Sequence, residues 1–260
     1  MLSVVLTCYN RGLDQVLPTL YSLRGCKVIL VNDNPGQNSD VIARAKSLLD
    51  DITVCEPVNN IGLAGARNLG ASYAKTKYIT FLDDDDLFRP ERILVTNYIE
   101  KNNLEACFFA NKIRTRKWTK IRVQSKPFIQ KHKFKRNLFG NSLVIKLDTF
   151  KRLKGYDTNL RAKEDYDLGL RVLQDTEWDV APYVGATIMQ IERVRMSTNI
   201  RHMQKNNLLF FDKWKSEMTE DEANDFKLRM NFGKSDLNFE IQLIKDRIFA
   251  MLNLFKGGKK

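Results

Sequence analysis

A regular exchange of short apolar runs and helical stretches through the first third of this chain is the feature that most limits its fold. Residues 2–6 read as a buried strand, and residues 13–23 carry Leu13, Val16, Leu17, Leu20 and Leu23 on one helical side. Val28-Ile29-Leu30-Val31 is a second apolar run, stopped by the turn cluster Asn32-Asp33-Asn34-Pro35-Gly36. Ser39 or Asp40 caps a helix reaching about residue 49. Residues 53–55 form a third strand, 64–74 a small-residue helix and 78–82 a fourth strand. Strand–helix alternation at this spacing predicts an α/β fold, with a mostly parallel central sheet flanked by helices.

Pro90 opens a further helix running to about residue 101. Residues 106–110 and 142–145 read as strands, and Ile121-Arg122-Val123 alternates like an edge strand. Asp148 caps a short helix ending near residue 153, and 165–174 is helical with Leu168, Val172 and Leu173 inward. Beyond Asn199 the pattern changes to helical stretches with few strand signals, which predicts a body over 1–200 and a C-terminal helical extension over 201–260. With 260 residues, 43% apolar and 28% charged, the chain has the makeup of a soluble globular protein. The apolar start is too short for a signal peptide, and no stretch approaches the roughly 20 apolar residues of a membrane span. Cys8, Cys26, Cys55 and Cys107 lack paired spacing and read as reduced core thiols of a cytoplasmic protein.

The net charge of +12 is unevenly placed. No acidic residue occurs between Glu105 and Asp148, an interval that holds twelve Lys and Arg residues. Such a patch favours phosphates, on nucleic acid, on anionic lipid or on a phosphorylated substrate; a solvated basic face is the plainer alternative.

In an open parallel sheet, ligands bind beyond the carboxyl ends of the strands. Those ends carry Thr7-Cys8-Tyr9-Asn10-Arg11, Asn32-Asp33-Asn34 and Asp83-Asp84-Asp85-Asp86. The first loop lacks the glycines that a dinucleotide's pyrophosphate requires, which argues against a nicotinamide or flavin enzyme. Adjacent carboxylates repel by roughly 1 kcal/mol in water and more where water is scarce. Four of them at a strand end therefore invite a cation, and Mg2+ or Mn2+ takes one or two carboxylates and fills its remaining positions with water and phosphate oxygens. A solvated acidic turn capping the helix at Pro90, with Asp86 as cap, needs only one carboxylate.

Thr7–Arg11 after a strand, Val31-Asn32-Asp33-Asn34, Asn60-Ile61-Gly62 leading into Ala66-Arg67-Asn68-Leu69-Gly70, and Phe81-Leu82 before the aspartates resemble, in order and spacing, family 2 glycosyltransferases of the GT-A fold. So does Lys163-Glu164-Asp165-Tyr166-Asp167-Leu168 before Leu170-Arg171. The resemblance covers roughly residues 2–175. It implies an inverting, metal-dependent transfer from a nucleoside-diphosphate sugar, of bacterial surface-polysaccharide type. Within 1–200 it implies a nucleotide-binding half over 1–110 and an acceptor half over 111–200. Thr7 and Tyr9 would flank the nucleobase, Arg11 would join the donor site, and Asp33 would accept a hydrogen bond from a uracil ring. Arg67 would lie near the base or diphosphate. Asp83 and Asp85 match the family's metal-binding pair, with Asp84 toward the donor's ribose and sugar; four consecutive aspartates leave this register open by one residue.

Asp165 matches the base that takes the acceptor hydroxyl's proton, a task suited to a carboxylate because the proton turns acidic only as the new bond forms. Glu164 and Asp165 at a helix start also suit capping. The family often carries a histidine after the acceptor region. Residues 191–197 have none, so Arg193, Arg195 or His202 would steady the leaving group, with Glu164 as a further contact to leaving group or acceptor; His132 reads as a surface residue.

Ile241, Ile244, Ile248, Met251, Leu252 and Phe255 share one face of an amphipathic stretch near the chain's end. It either packs on the core or a second subunit, as in a homodimer, or lies on an anionic membrane surface. The expected partners are a UDP-sugar donor and a saccharide or lipid-linked glycan acceptor, at the inner face of the cytoplasmic membrane, with no nucleic acid. The rival readings are a nucleotidyltransferase, which would want a glycine-rich phosphate loop after the first strand, and a polyanion binder using residues 112–136. The polyanion reading leaves Asp33, Asp83–Asp86 and Glu164-Asp165 without a task.

Overall fold

The computed structural model describes residues 1–190 and 200–232 of the chain. Its first four strands, β1 (Leu2–Cys8), β2 (Lys27–Asn32), β3 (Asp51–Cys55) and β4 (Tyr78–Asp83), lie side by side and parallel in the order β3-β2-β1-β4. The crossovers are α1 (Leu13–Ser22), α2 (Ser39–Leu48) and α3 (Gly62–Tyr73). Period-two alternation explains why both faces are covered. Val5, Ile29 and Val31 face the core under α3, while Val4, Leu6, Val28 and Leu30 face α1 and α2. Each such side chain contributes about 1.5–3 kcal/mol by leaving water.

After β4 the sheet changes character. β5 (Leu87–Phe88) and α4 (Glu91–Lys101) follow, then β6 (Ala106–Arg114), β7 (Thr119–Arg122), α5 (Lys126–His132), β8 (Leu143–Lys146) and α6 (Leu147–Arg152). α7 (Glu164–Asp175) and β9 (Trp178–Met189) complete the body. β8 enters antiparallel between β4 and β6, and β9 runs parallel to β6 with β5 beyond it, giving nine strands in one sheet. β6 is irregular against β9 around Ala110, and there its opposite edge leaves β8 and continues with β7. α4 packs over this second half, and its Arg92, fully buried, donates to the Phe81 and Gly185 carbonyls, tying the end of β4 to β9.

The basic interval does not lie wholly at the surface. α5 buries Phe128, Ile129 and His132, and His132 is 1% exposed with its ring 4.8 Å from that of Phe128, which corrects its reading as a surface residue. The error came from sequence neighbours: flanking lysines say nothing about which helical face turns inward. α8 (Ile200–Trp214) and α9 (Glu220–Phe232) close the described structure, with Phe210, Trp214 and Phe226 in the core against α7. The amphipathic stretch near the chain's end, and Arg193 and Arg195, lie outside the described residues. No described helix is long and apolar enough to cross a membrane.

Candidate active site

Parallel register brings the ends of β1 and β4 together: Thr7 lies beside Asp83. Past β1 the chain turns through Asn10, whose φ of 51° suits asparagine better than most residues. The Tyr9 backbone N–H donates to Asp84 Oδ2 at 3.4 Å, and Arg11 sits 3.2 Å from Asp84 and 3.3 Å from Asp85. Asp84 is thus buried as the anchor of the β1 loop. These protein contacts hold Asp84 in place at the ledge. Burial pushes its pKa up to about 6; Arg11 opposes this, and Asp85 and Asp83 add to it. Tyr9, whose backbone meets this ledge, is 55% exposed.

The four aspartates separate by environment. The side chains of Asp83 and Asp85 are 36% and 29% exposed at the ledge. Asp86 is buried, accepting from Met189 N at 3.0 Å and Asn141 Nδ2 at 2.7 Å. Burial, with Asp83 and Asp85 nearby, lifts its pKa to about 7. It therefore pins β9 and the loop before β8, and does not cap α4, which begins after Pro90 with no side-chain cap. Register explains the difference. Asp86 precedes the short β5, which pairs with β9, so its side chain meets β9 before the chain reaches α4.

Arg67 joins the ledge to the second half of the chain. Gly70 lets α3 lie close on the sheet, since a Cβ there would stand 2.4 Å from Val5. That approach presses Arg67 inside, where it is 5% exposed. Its guanidinium donates to Asp83 Oδ1 at 2.7 Å and to Glu164 Oε1 at 2.9 Å, and lies 5.2 Å from the Tyr156 ring centre. Burial works against its charge, yet Asp83, Tyr156, Glu164 and Asp165 together hold it protonated more firmly than usual. Arg67 and Glu164 were expected to touch donor, leaving group or acceptor. In the fold they meet each other, because two opposite charges taken from water must be paired.

Glu164, the first residue of α7, has its pKa raised to about 7 by burial and by Asp165, with Arg67 opposing. Its folded value lies above its unfolded one, so its contribution to stability is complete in acid and is lost as pH rises. Chemical denaturation between pH 5 and 8 is expected to show unfolding free energy falling toward pH 7 and above in the wild type, with a shallower fall in Glu164→Gln. Equal slopes would remove Glu164 as the source.

Asp165 is half-buried beside it. Its Oδ1 accepts from Asn137 Nδ2 at 2.9 Å and from the Tyr166 backbone N–H at 2.8 Å. It lines a small cavity with Arg67, Phe81, Phe139, Asn141 and Tyr156. A Cβ at Gly140 would stand 2.9 Å from its Oδ2, so glycine there leaves the carboxylate room. Two residues on, fully buried Asp167 binds Arg171, Lys213 and the Trp214 indole N–H, which fixes the helix that carries Asp165. Asn137, Asn141 and Arg92 were not foreseen; only the turn composition around 137–142 hinted at the first two.

Asp33, at the end of β2, is buried. Its Oδ1 accepts from Ile61 N at 2.8 Å and its Oδ2 from Asn60 at 2.7 Å, so it holds the loop that starts α3. Burial raises its pKa, and the Ile61 and Gly62 backbone N–H groups pull the other way. A carboxylate offers about four lone-pair sites, so these three N–H donors still leave capacity for an incoming one. Cys8 is a buried thiol pushed up to about 12 by burial and then by Asp84, which suits packing and not nucleophilic attack.

Among the described residues no three His, Cys, Asp or Glu side chains converge as a preformed metal site. Asp83 and Asp85 nevertheless fit a cation that brings phosphate and water as its other ligands, because both are oxygen donors at a partly open ledge.

The family model for glycosyl transferase family 2 matches residues 3–153, more than half the chain. The chain belongs to glycosyltransferase family 2. An uncharacterized glycosyltransferase of Haemophilus influenzae is 30% identical over 223 residues, covering 79% of this chain and 74% of that one. The minor teichoic acid biosynthesis protein GgaB of Bacillus subtilis is 31% identical over 93 residues, 33% of this chain and 10% of that one. Among solved structures, S. aureus TarS 1-349 in complex with UDP-GlcNAc superposes with a TM-score of 0.63 at 14% identity. That match covers 94% of this chain and 79% of TarS 1-349. The likeness is one of fold, and this glycosyltransferase has the GT-A architecture.

Proposed function

We propose that this family 2 glycosyltransferase moves a sugar from a UDP-sugar to a saccharide or lipid-linked glycan acceptor, with inversion, in cell-surface polysaccharide assembly. The observation that carries the reading is the single cluster formed by the ledge Asp83–Asp85, the strut Arg67 and the carboxylate Asp165. The donor names of TarS and the teichoic acid role of GgaB support the choice of donor and pathway class. Residues 1–110 would bind the nucleotide, with Tyr9 stacking on the base, Thr7 beside it and Asp33 accepting from the uracil ring. Residues 111–200 would hold the acceptor, and 201–260 would form the C-terminal extension.

Asp165, oriented by Asn137, takes the acceptor hydroxyl's proton as that oxygen attacks the anomeric carbon from the face opposite the diphosphate. The bond from that carbon to the diphosphate oxygen breaks, and the nucleoside diphosphate leaves with the electron pair. A divalent metal held by Asp83 and Asp85 would neutralise charge on the departing diphosphate. Arg11 offsets the repulsion between Asp84 and Asp85 before the donor arrives.

Thermal shift against a panel of nucleotide sugars, with and without Mn2+, tests the reading. A UDP-sugar at a hundred times its Kd adds about 2.7 kcal/mol of stability. The gain should shrink on adding a chelator. No stabilisation by any member in either condition would overturn it.

A further inference from the structure

The acid-free interval has a part that the transfer reaction does not use. β6 and β7 form a hairpin whose tip, residues 115–118, is organised by Thr115. The Thr115 hydroxyl accepts from the Lys117 and Trp118 backbone N–H groups at 3.2 and 3.0 Å, and its own N–H donates to the Trp118 carbonyl at 2.9 Å. On this preformed tip and the strand after it, Arg116, Lys117 and Lys120 are exposed, together with Trp118 at 45% and Ile121 at 53%. The Lys120 ammonium lies 4.6 Å from the Trp118 ring centre. Charges alone would be explained by the need to keep an edge strand from pairing with another chain. An indole and an isoleucine exposed among those charges work against that purpose, since they make the edge stickier.

The hairpin's place in the sheet gives it a direction. Arg114 is the register partner of Met189, and the Met189 N–H bonds Asp86. The tip therefore projects from the same end of the sheet as the aspartate ledge. The interval that carries it also supplies Asn137 to Asp165 and Asn141 to Asp86.

We propose that the β6–β7 hairpin docks this enzyme on an anionic bilayer, with Trp118 and Ile121 at the headgroup level and Arg116, Lys117 and Lys120 on lipid phosphates. Tryptophan is enriched at that interface because its ring is apolar and its N–H polar, and basic residues beside it meet the negative surface. Docking would turn the acceptor side of the site toward the membrane. It concerns where the enzyme works and holds whichever nucleotide sugar it uses.

The test is co-sedimentation of the full chain with vesicles of phosphatidylcholine alone and with added phosphatidylglycerol, at physiological salt. Binding is expected only with phosphatidylglycerol. The triple replacement Arg116→Gln, Lys117→Gln and Lys120→Gln should weaken it about a hundredfold, at about 1 kcal/mol per charge. Trp118→Ala alone should weaken it about tenfold while the variant melts like the wild type. Wild-type protein that ignores the vesicles would overturn the proposal. Unchanged binding by the triple variant would overturn it too, by assigning attachment to another surface. Retention on RNA or polyphosphate, lost in the triple variant and with no vesicle binding, would make the hairpin a polyanion site and sink the bilayer reading.

Discussion

Replacing Asp165 by Asn is expected to lower kcat about a thousandfold while nucleotide-sugar binding and the melting midpoint stay close to the wild type. A positioned base contributes typically 10²–10⁴-fold, and the amide keeps the shape while losing the proton acceptor. The structure sharpens what else should happen. The Asp165 Oδ1 holds two N–H donors from Asn137 and Tyr166. An asparagine can keep both by presenting its carbonyl oxygen there, so α7 should not fray. Single-turnover transfer assays with isothermal titration of the donor would separate the effects. A folded variant that has lost donor binding would mean that the base lies elsewhere.

Arg67→Ala is expected to have the largest effect on stability of any substitution at the site, about 3–5 kcal/mol, because it strands Asp83 and buried Glu164 without their shared partner. In a domain of this size that is roughly 6–20 °C in melting midpoint. Transfer should fall as well, since Arg67 joins the ledge to the first turn of α7. Arg67→Lys should recover little, because one ammonium does not span two carboxylates as a guanidinium fork does. Pairing Arg67→Met with Glu164→Gln should regain part of the loss, and a double-mutant cycle would measure the coupling. A melting midpoint within 1–2 °C of wild type for Arg67→Ala would show that the strut carries no load.

Much of the fold was legible because its first half is built from local patterns. Apolar runs at 2–6, 28–31 and 78–82 became β1, β2 and β4 within a residue or two, and their parallel order follows from the helices between them. The second half was less legible. β9, twelve residues long, went unseen because it mixes exposed and buried positions without clean alternation and is stabilised by pairing with β6. α5 was hidden by its lysines, although Ser125 caps it through the Phe128 N–H.

What the residues by themselves determined is the family, since it rests on short motifs whose order survives without coordinates. What only the tertiary structure decided is which of those charged groups face solvent and which face each other. Asp84, Asp86, Glu164 and Arg67 lie in the same motifs as Asp83, Asp85 and Asp165, yet the first four are buried against partners as distant in sequence as Met189, Asn141 and, between themselves, Arg67 and Glu164. A buried charge must find a counter-charge or donor wherever the packing supplies one, and packing joins elements that no local pattern connects. The alternation of strand and helix that opens the chain thus sets the ledge in place, and long-range pairing then divides its aspartates into buried anchors, Asp84 and Asp86, and the part-exposed pair Asp83 and Asp85.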